Sequence, residues 1–308
     1  MPDMKYLDIA YEIVKARLGE LEKSDRDVYQ KIGQALIDMS RDWYTDGKTN
    51  LQYNSELRRI AYVYGHMSAN ANLLEQVFVK TDQLARYFDL VHRWNGKVNI
   101  CVFGSGPGTE LLGVSGWLKR RELGYRCTVD YCLFEIVKQW EESLKIVISE
   151  VRNRAEMLGE CVRGTCNSYW GEDADLRNFK LFNEASGHDI YIFPYVLSEV
   201  KQPGSRLSLR RFASNLNEYV KEQAMFIFLD RLNDETHTTQ NISAIINGAE
   251  LEIVSQGQLL DRMFAIEWEI TKTPEFEQLR RRIDRRPRGQ SLERQVVYYV
   301  AQKPSVPF

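Results

Sequence analysis

Hydrophobic positions along roughly the first 95 residues recur at the three- and four-residue spacing of helices. Val28, Ile32, Ala35, Leu36, Met39 and Trp43 form one such face, and Tyr44-Thr45-Asp46-Gly47 ends it with turn chemistry. Leu57, Ile60, Ala61 and Tyr64 begin a second stripe, which Leu73, Leu74, Val77, Leu84 and Phe88 continue. No strand-like run interrupts the region, so residues 1–95 are expected to form a helical N-terminal subdomain. From Lys97 onward the pattern changes. The short apolar run Val98–Phe103 ends in glycines, as a buried parallel strand does.

Strands and helices then alternate. A helix is expected over Thr109–Arg121, a strand over Thr128–Phe134, and a long helix on the stripe Trp140, Leu144, Val147, Ile148, Val151, Ala155 and Leu158. Glu160–Thr165 is the expected third strand and Asp189–Tyr195 the fourth. A helix on Leu209, Phe212, Leu216 and Val220 leads into a fifth strand at Met225–Leu229. Leu251–Val254, Met263–Ile270 and Val296–Ala301 are further strand expectations, with at least one antiparallel pairing among them. The implied fold is α/β: a mostly parallel, Rossmann-like sheet over residues 96–308, covered by helices on both faces and preceded by the helical subdomain.

Composition narrows the function classes. With 44% hydrophobic and 27% charged residues, the 308-residue chain is of ordinary globular composition. Forty-one basic against 43 acidic residues give a formal charge of −2, which excludes a global polyanion-binding surface but not a local patch. No run has the length needed to cross a bilayer, and the charged first 20 residues lack a secretory signal, so a cytoplasmic or nuclear location is expected, with an organelle left open. Cys101, Cys127, Cys132, Cys161 and Cys166 include no CxxC pair, and the four histidines are far apart. No metal site is expected.

The chemistry concentrates in Gly104-Ser105-Gly106-Pro107-Gly108-Thr109, between the first strand and the next helix. Glycines there let the chain turn tightly and let a ligand approach the backbone, although a glycine-rich turn can also serve packing alone. A dinucleotide fingerprint would require glycine at position 109, where threonine stands, which argues against a nicotinamide oxidoreductase. The G-x-G-x-G form after strand one resembles that of class I S-adenosylmethionine-dependent methyltransferases, over residues 98–232. The resemblance implies S-adenosylmethionine as cofactor. It implies contacts from Phe103, Gly104, Ser105, Gly106 and Gly108, and a ribose-holding acid at the end of strand two, where Glu135 stands. Asp130 is the rival acid, at the start of that strand and so at the wrong end of the sheet. Near the adenine the resemblance asks for an acid or amide, for which Asn167 and Asp173 both qualify. After strand four it places Tyr195 in the methyl-transfer pocket.

The methyl acceptor stays open among small molecules, proteins and RNA. Ile192-Phe193-Pro194-Tyr195 lacks the polar residue of the Asp/Asn/Ser-Pro-Pro-Tyr/Phe motif used for exocyclic amines. Tyr195-Val196-Leu197-Ser198-Glu199 is similar to a stretch of methyltransferase-like proteins of mitochondrial ribosome assembly, whose cysteine cluster this chain lacks. If a general base is required, His66 and Glu199 are the candidates. A structural role competes in each case: His66, Tyr62, Tyr64 and Met67 as core, Ser198 and Glu199 as caps. Six arginines within Arg280–Arg288 form a local positive segment able to draw an acidic partner or nucleic acid. An assembly module with the same fold but no turnover is the alternative reading.

Overall fold

The computed structural model describes residues 6–22, 27–44, 53–93, 96–121, 127–153, 164–200, 204–231, 235–260, 274–284 and 295–305. The N-terminal region is helical: α1 (Tyr6–Leu21), α2 (Val28–Tyr44), α3 (Glu56–Tyr62), α4 (Ser68–Lys80) and α5 (Asp82–Arg93), with a π-helical turn at Val63–Met67 between α3 and α4. The alternating part follows as β1 (Lys97–Phe103), α6 (Thr109–Arg120), β2 (Thr128–Glu135), α7 (Glu141–Asn153), β3 (Cys166–Trp170), β4 (Ile190–Pro194), α8 (Ser205–Asn217) and β5 (Met225–Arg231). It closes with α9 (Glu235–Gly248), β6 (Glu252–Leu260), α10 (Pro274–Ile283) and β7 (Gln295–Gln302).

The strands form one seven-stranded sheet of order β3-β2-β1-β4-β5-β7-β6. β1 to β5 are parallel, and β7 runs antiparallel to both β5 and β6. The fold is thus Rossmann-like and mostly parallel, with the antiparallel pairing confined to the C-terminal strands. The third strand begins at Cys166, beyond the expected Glu160–Thr165 span, of which residues 160–163 lie outside the described residues. Met263–Ile270 also lies outside them.

Strand periodicity sorts two chemistries onto the two faces. Val98, Ile100, Val102, Val129, Leu133, Ile190, Ile192, Ile227 and Leu229 meet α1 to α7 in one largely aliphatic core that also takes in the N-terminal helices. The opposite face is aromatic. Phe103, Phe134, Phe193, Phe226 and Phe228 lie side by side beneath α8 and α9, and Phe103 stacks on Phe193 at 4.8 Å and on Phe134 at 5.2 Å. Each such pair adds about 0.5–1.5 kcal/mol beyond the area it buries.

Asp189 helps to fasten the amino end of the sheet. Lying just before β4, it accepts the Asn99 amide N–H at 2.7 Å and the Tyr87 hydroxyl, and pairs with Lys221. The loops at the carboxyl end are left to build a site, as expected for an open α/β sheet.

Candidate functional site

β1 ends at Phe103 because the glycine loop turns the chain away from the sheet. The turn is pinned to β2: the N–H groups of Gly104 and Ser105 both donate to the Phe134 carbonyl, at 2.7 and 3.3 Å. Gly108 then caps α6 in the left-handed region. The three glycines differ in what surrounds them. A Cβ at Gly104 would strike Val196 and one at Gly108 would strike Leu144, whereas Gly106, at φ +50°, faces open space. The left-handed backbone at Gly106 is strained for any side chain, and the volume above it is free for a ligand.

Glu135 closes β2 beside this opening. Its Oε2 accepts the Gly106 N–H at 2.9 Å and its Oε1 accepts the Val137 N–H at 2.9 Å. The residue is only 8% exposed, and burial raises its carboxyl above the usual range despite backbone donors from Val137, Gly106 and Ile136. The carboxylate therefore bridges the glycine loop to the end of β2.

A cavity of about 250 Å³ opens over these groups. Gly104, Gly106, Glu135 and Val137 line one wall. The other converges from distant segments: Tyr53, Tyr62, Trp140, Asp175, Arg177, Tyr195, Glu199 and Arg231. The rings of Tyr53, Tyr62 and Trp140 pack against one another at 5.5–5.6 Å. Arg177 grips the Asp175 carboxylate, with Nε 2.9 and 3.0 Å from its two oxygens. Beyond β4, Tyr195 adopts φ +57°, a conformation uncommon for a side-chain-bearing residue, and its amide donates to the Leu229 carbonyl at 2.7 Å. The turn that follows is held by Asp230, which accepts the Ser198 N–H at 2.8 Å. The Arg231 guanidinium lies 5.4 Å from the Tyr195 ring centroid.

The structure distributes the sequence-derived residues unevenly. Gly104, Gly106, Glu135, Tyr195 and Glu199 meet around the cavity. Phe103, Ser105 and Gly108 support the loop without lining it, Phe103 with its ring in the aromatic face. Asn167 is exposed within β3, opposite Cys132 and three residues short of the end of β2, because the strand starts later than expected. Asp173 pairs with Lys180 outside the cavity. Asp130 sits at the other end of β2 and pairs with Lys97, which, with the Thr165 amide, holds its carboxyl below the usual range although burial opposes this. His66 is buried in the π-helical turn, its ring 5.7 Å from that of Tyr62, and does not line the cavity. In the arginine-rich segment, Arg280 pairs with Glu277, while Arg282 pairs with Glu22 and covers the Tyr29 ring at 3.6 Å. Arg285, Arg286 and Arg288 lie outside the described residues.

Tyr53, Trp140, Asp175, Arg177 and Arg231 are cavity residues that the sequence did not single out. For Arg231 a signal was present, since it lies two residues beyond the expected strand Met225–Leu229, at the side of the sheet where ligands bind.

No family model matches the chain, and no curated protein matches it. Solved structures do. A SAM-dependent methyltransferase from Methanosarcina mazei is 12% identical over 68% of this chain and 93% of its own, with a TM-score of 0.41. The N-methyltransferase NodS from Bradyrhizobium japonicum is 11% identical over 73% and 99%, with a TM-score of 0.37. The cyclase SpnF is 13% identical over 72% and 82%, with a TM-score of 0.38. These are likenesses of fold. At such identities and scores they carry no argument about ligand or activity, which must come from the cavity itself. Among the described residues no helix is long and apolar enough to cross a membrane.

Proposed function

We propose that the chain binds S-adenosylmethionine in the 250 Å³ cavity and transfers its methyl group to an acceptor entering from the same side. The observation that carries this reading is the pairing of Gly106 with Glu135. An open, Cβ-free stretch of backbone stands next to a buried carboxylate at the end of the second strand. A carboxylate accepts both hydroxyls of a vicinal diol, so Glu135 would hold the ribose, and Gly106 would let the cofactor pass close to the chain. Tyr195 and the Tyr53, Tyr62 and Trp140 cluster would wall the reacting end against water.

The bound cofactor supplies an activated methyl group on a sulfonium, which needs no nucleophile from the protein. The residues of this chain would therefore work by orientation and by excluding water. Glu199, on the cavity wall, would accept an acceptor proton where one must be removed; His66, packed against Tyr62 and not lining the cavity, is the weaker candidate. Calorimetric titration with S-adenosylmethionine and S-adenosylhomocysteine tests the reading. Saturable binding weakened on the order of 100-fold by Glu135→Ala, with the fold intact, is expected from losing a charge-assisted acceptor pair. Folded wild-type protein that binds neither compound would overturn it.

A further inference from the structure

Arg231, the last residue of β5, is a buried cation on the cavity wall to which the reading above assigns no task. It is 3% exposed, and its guanidinium packs against the Tyr195 ring, 5.4 Å from the centroid. The adjacent Asp230 turns both carboxylate oxygens to backbone N–H groups, Oδ2 to Ser198 at 2.8 Å and Oδ1 to Arg231 at 2.7 Å. Glu199 lines the same cavity. The charges of Glu199 and Arg231 act on the same two rings: burial first pushes the Tyr53 and Tyr62 phenols up, Glu199 adds to this and Arg231 opposes it. Arg231, Glu199 and the aromatic wall thus share one space.

The sheet order separates Arg231 from the Gly106–Glu135 corner. Glu135 ends β2 and Arg231 ends β5, with β1 and β4 between them. Three strand intervals set their backbones about 14 Å apart. Tyr195, just beyond β4, stands between the two. A nucleoside on Glu135 and Gly106 therefore takes the β2–β1 side of the cavity, and the β4–β5 side is left for the acceptor. A guanidinium presents paired N–H donors in a planar fork that matches a carboxylate.

We propose that Arg231 anchors the carboxylate of the methyl acceptor, a small organic acid whose apolar body packs on Tyr53, Tyr62 and Trp140. This assignment rests on the cofactor reading and names the substrate class for the same cavity. Glu199 repels a carboxylate, so the acceptor lies with its acid group toward Arg231 and its hydroxyl or amine toward Glu199.

The test is calorimetric titration with para-hydroxybenzoate and with para-hydroxybenzamide, its uncharged counterpart, with and without saturating S-adenosylhomocysteine. Wild-type protein should bind the acid at least about tenfold more tightly than the amide, whether or not S-adenosylhomocysteine is present. Arg231→Gln should weaken the acid by about 30-fold, level it with the amide and leave S-adenosylhomocysteine affinity within about twofold. Arg231→Lys, which keeps the charge without the fork, should retain part of the preference. Melting curves check both folds, and the wild-type comparison of acid with amide stands without either variant. Equal wild-type affinity for acid and amide, or binding of neither, would overturn the assignment. So would competition between the acid and S-adenosylhomocysteine, or an Arg231→Gln chain that loses affinity for S-adenosylhomocysteine but not for methylthioadenosine, which lacks the amino acid. Either result would give Arg231 to the cofactor's own carboxylate. Wild type that prefers the acid but binds no S-adenosylhomocysteine would overturn the cofactor reading and keep Arg231 as a carboxylate anchor.

Discussion

Two buried acids at opposite ends of the sheet are accommodated in different ways. Asp189, at the amino end, is surrounded by donors: the Asn99 amide, the Tyr87 hydroxyl and the Lys221 ammonium. Glu110, at the carboxyl end, has a carboxyl oxygen with no hydrogen-bond partner among the described residues and a second acid facing it. A carboxylate whose donors are all supplied by the protein ties elements together. One left short of donors costs stability as a charge, and burial accordingly raises the Glu110 carboxyl above the usual range.

That contrast can be broken at either acid. Asp189→Ala should cost the most stability, about 3 kcal/mol by urea unfolding, because it strands the Asn99 and Tyr87 donors. It should leave the affinity for S-adenosylmethionine nearly unchanged, since the acid lies at the far end of the sheet. Tyr62→Phe removes the acceptor of the Asn70 amide and should cost about 1 kcal/mol. At Glu110 the sign of the pH dependence is the diagnostic. Its folded-state value lies above the ordinary carboxylate value, so the folded form binds the extra proton. Stability from this group is complete below the ordinary value and is lost as pH rises toward about 8, and Glu110→Gln should flatten that slope in thermal melts. The smallest effect is expected at Asn167, exposed in β3: Asn167→Ala should change stability by less than about 0.5 kcal/mol and leave calorimetric binding unaltered. A loss of binding there would move the adenine side of the cavity toward β3.

The cavity also divides by how much of it the sequence makes legible. The wall formed by Gly104, Gly106 and Glu135 belongs to one strand–turn–helix unit and the end of the adjacent strand, so local spacing exposes it. Trp140, Tyr53, Asp175, Arg177 and Arg231 come together from segments far apart in the chain, and each has an ordinary local explanation as core, turn or surface. Helical and strand periodicity place α2, β1, β2, β4 and β5 within a few residues, because each carries a continuous apolar face. Periodicity does less for β3, whose residues are mostly half-buried at the sheet edge. The helix α9 is buried through Ile242, Ile245 and Ile246, three positions among polar neighbours, which makes its face hard to see beforehand. Arg282 shows the converse: a charge cluster that looks like a docking surface spends this member on Glu22 and Tyr29 within the same chain.

On the proposed function, the Gly106–Glu135 corner holds the nucleoside of S-adenosylmethionine. A crystal structure of the chain with S-adenosylhomocysteine tests it most directly. Both ribose hydroxyls are expected on the Glu135 carboxylate, with the ligand passing over the open face of Gly106. A ligand bound elsewhere, with the Glu135 to Gly106 hydrogen bond intact and the cavity empty, would contradict it.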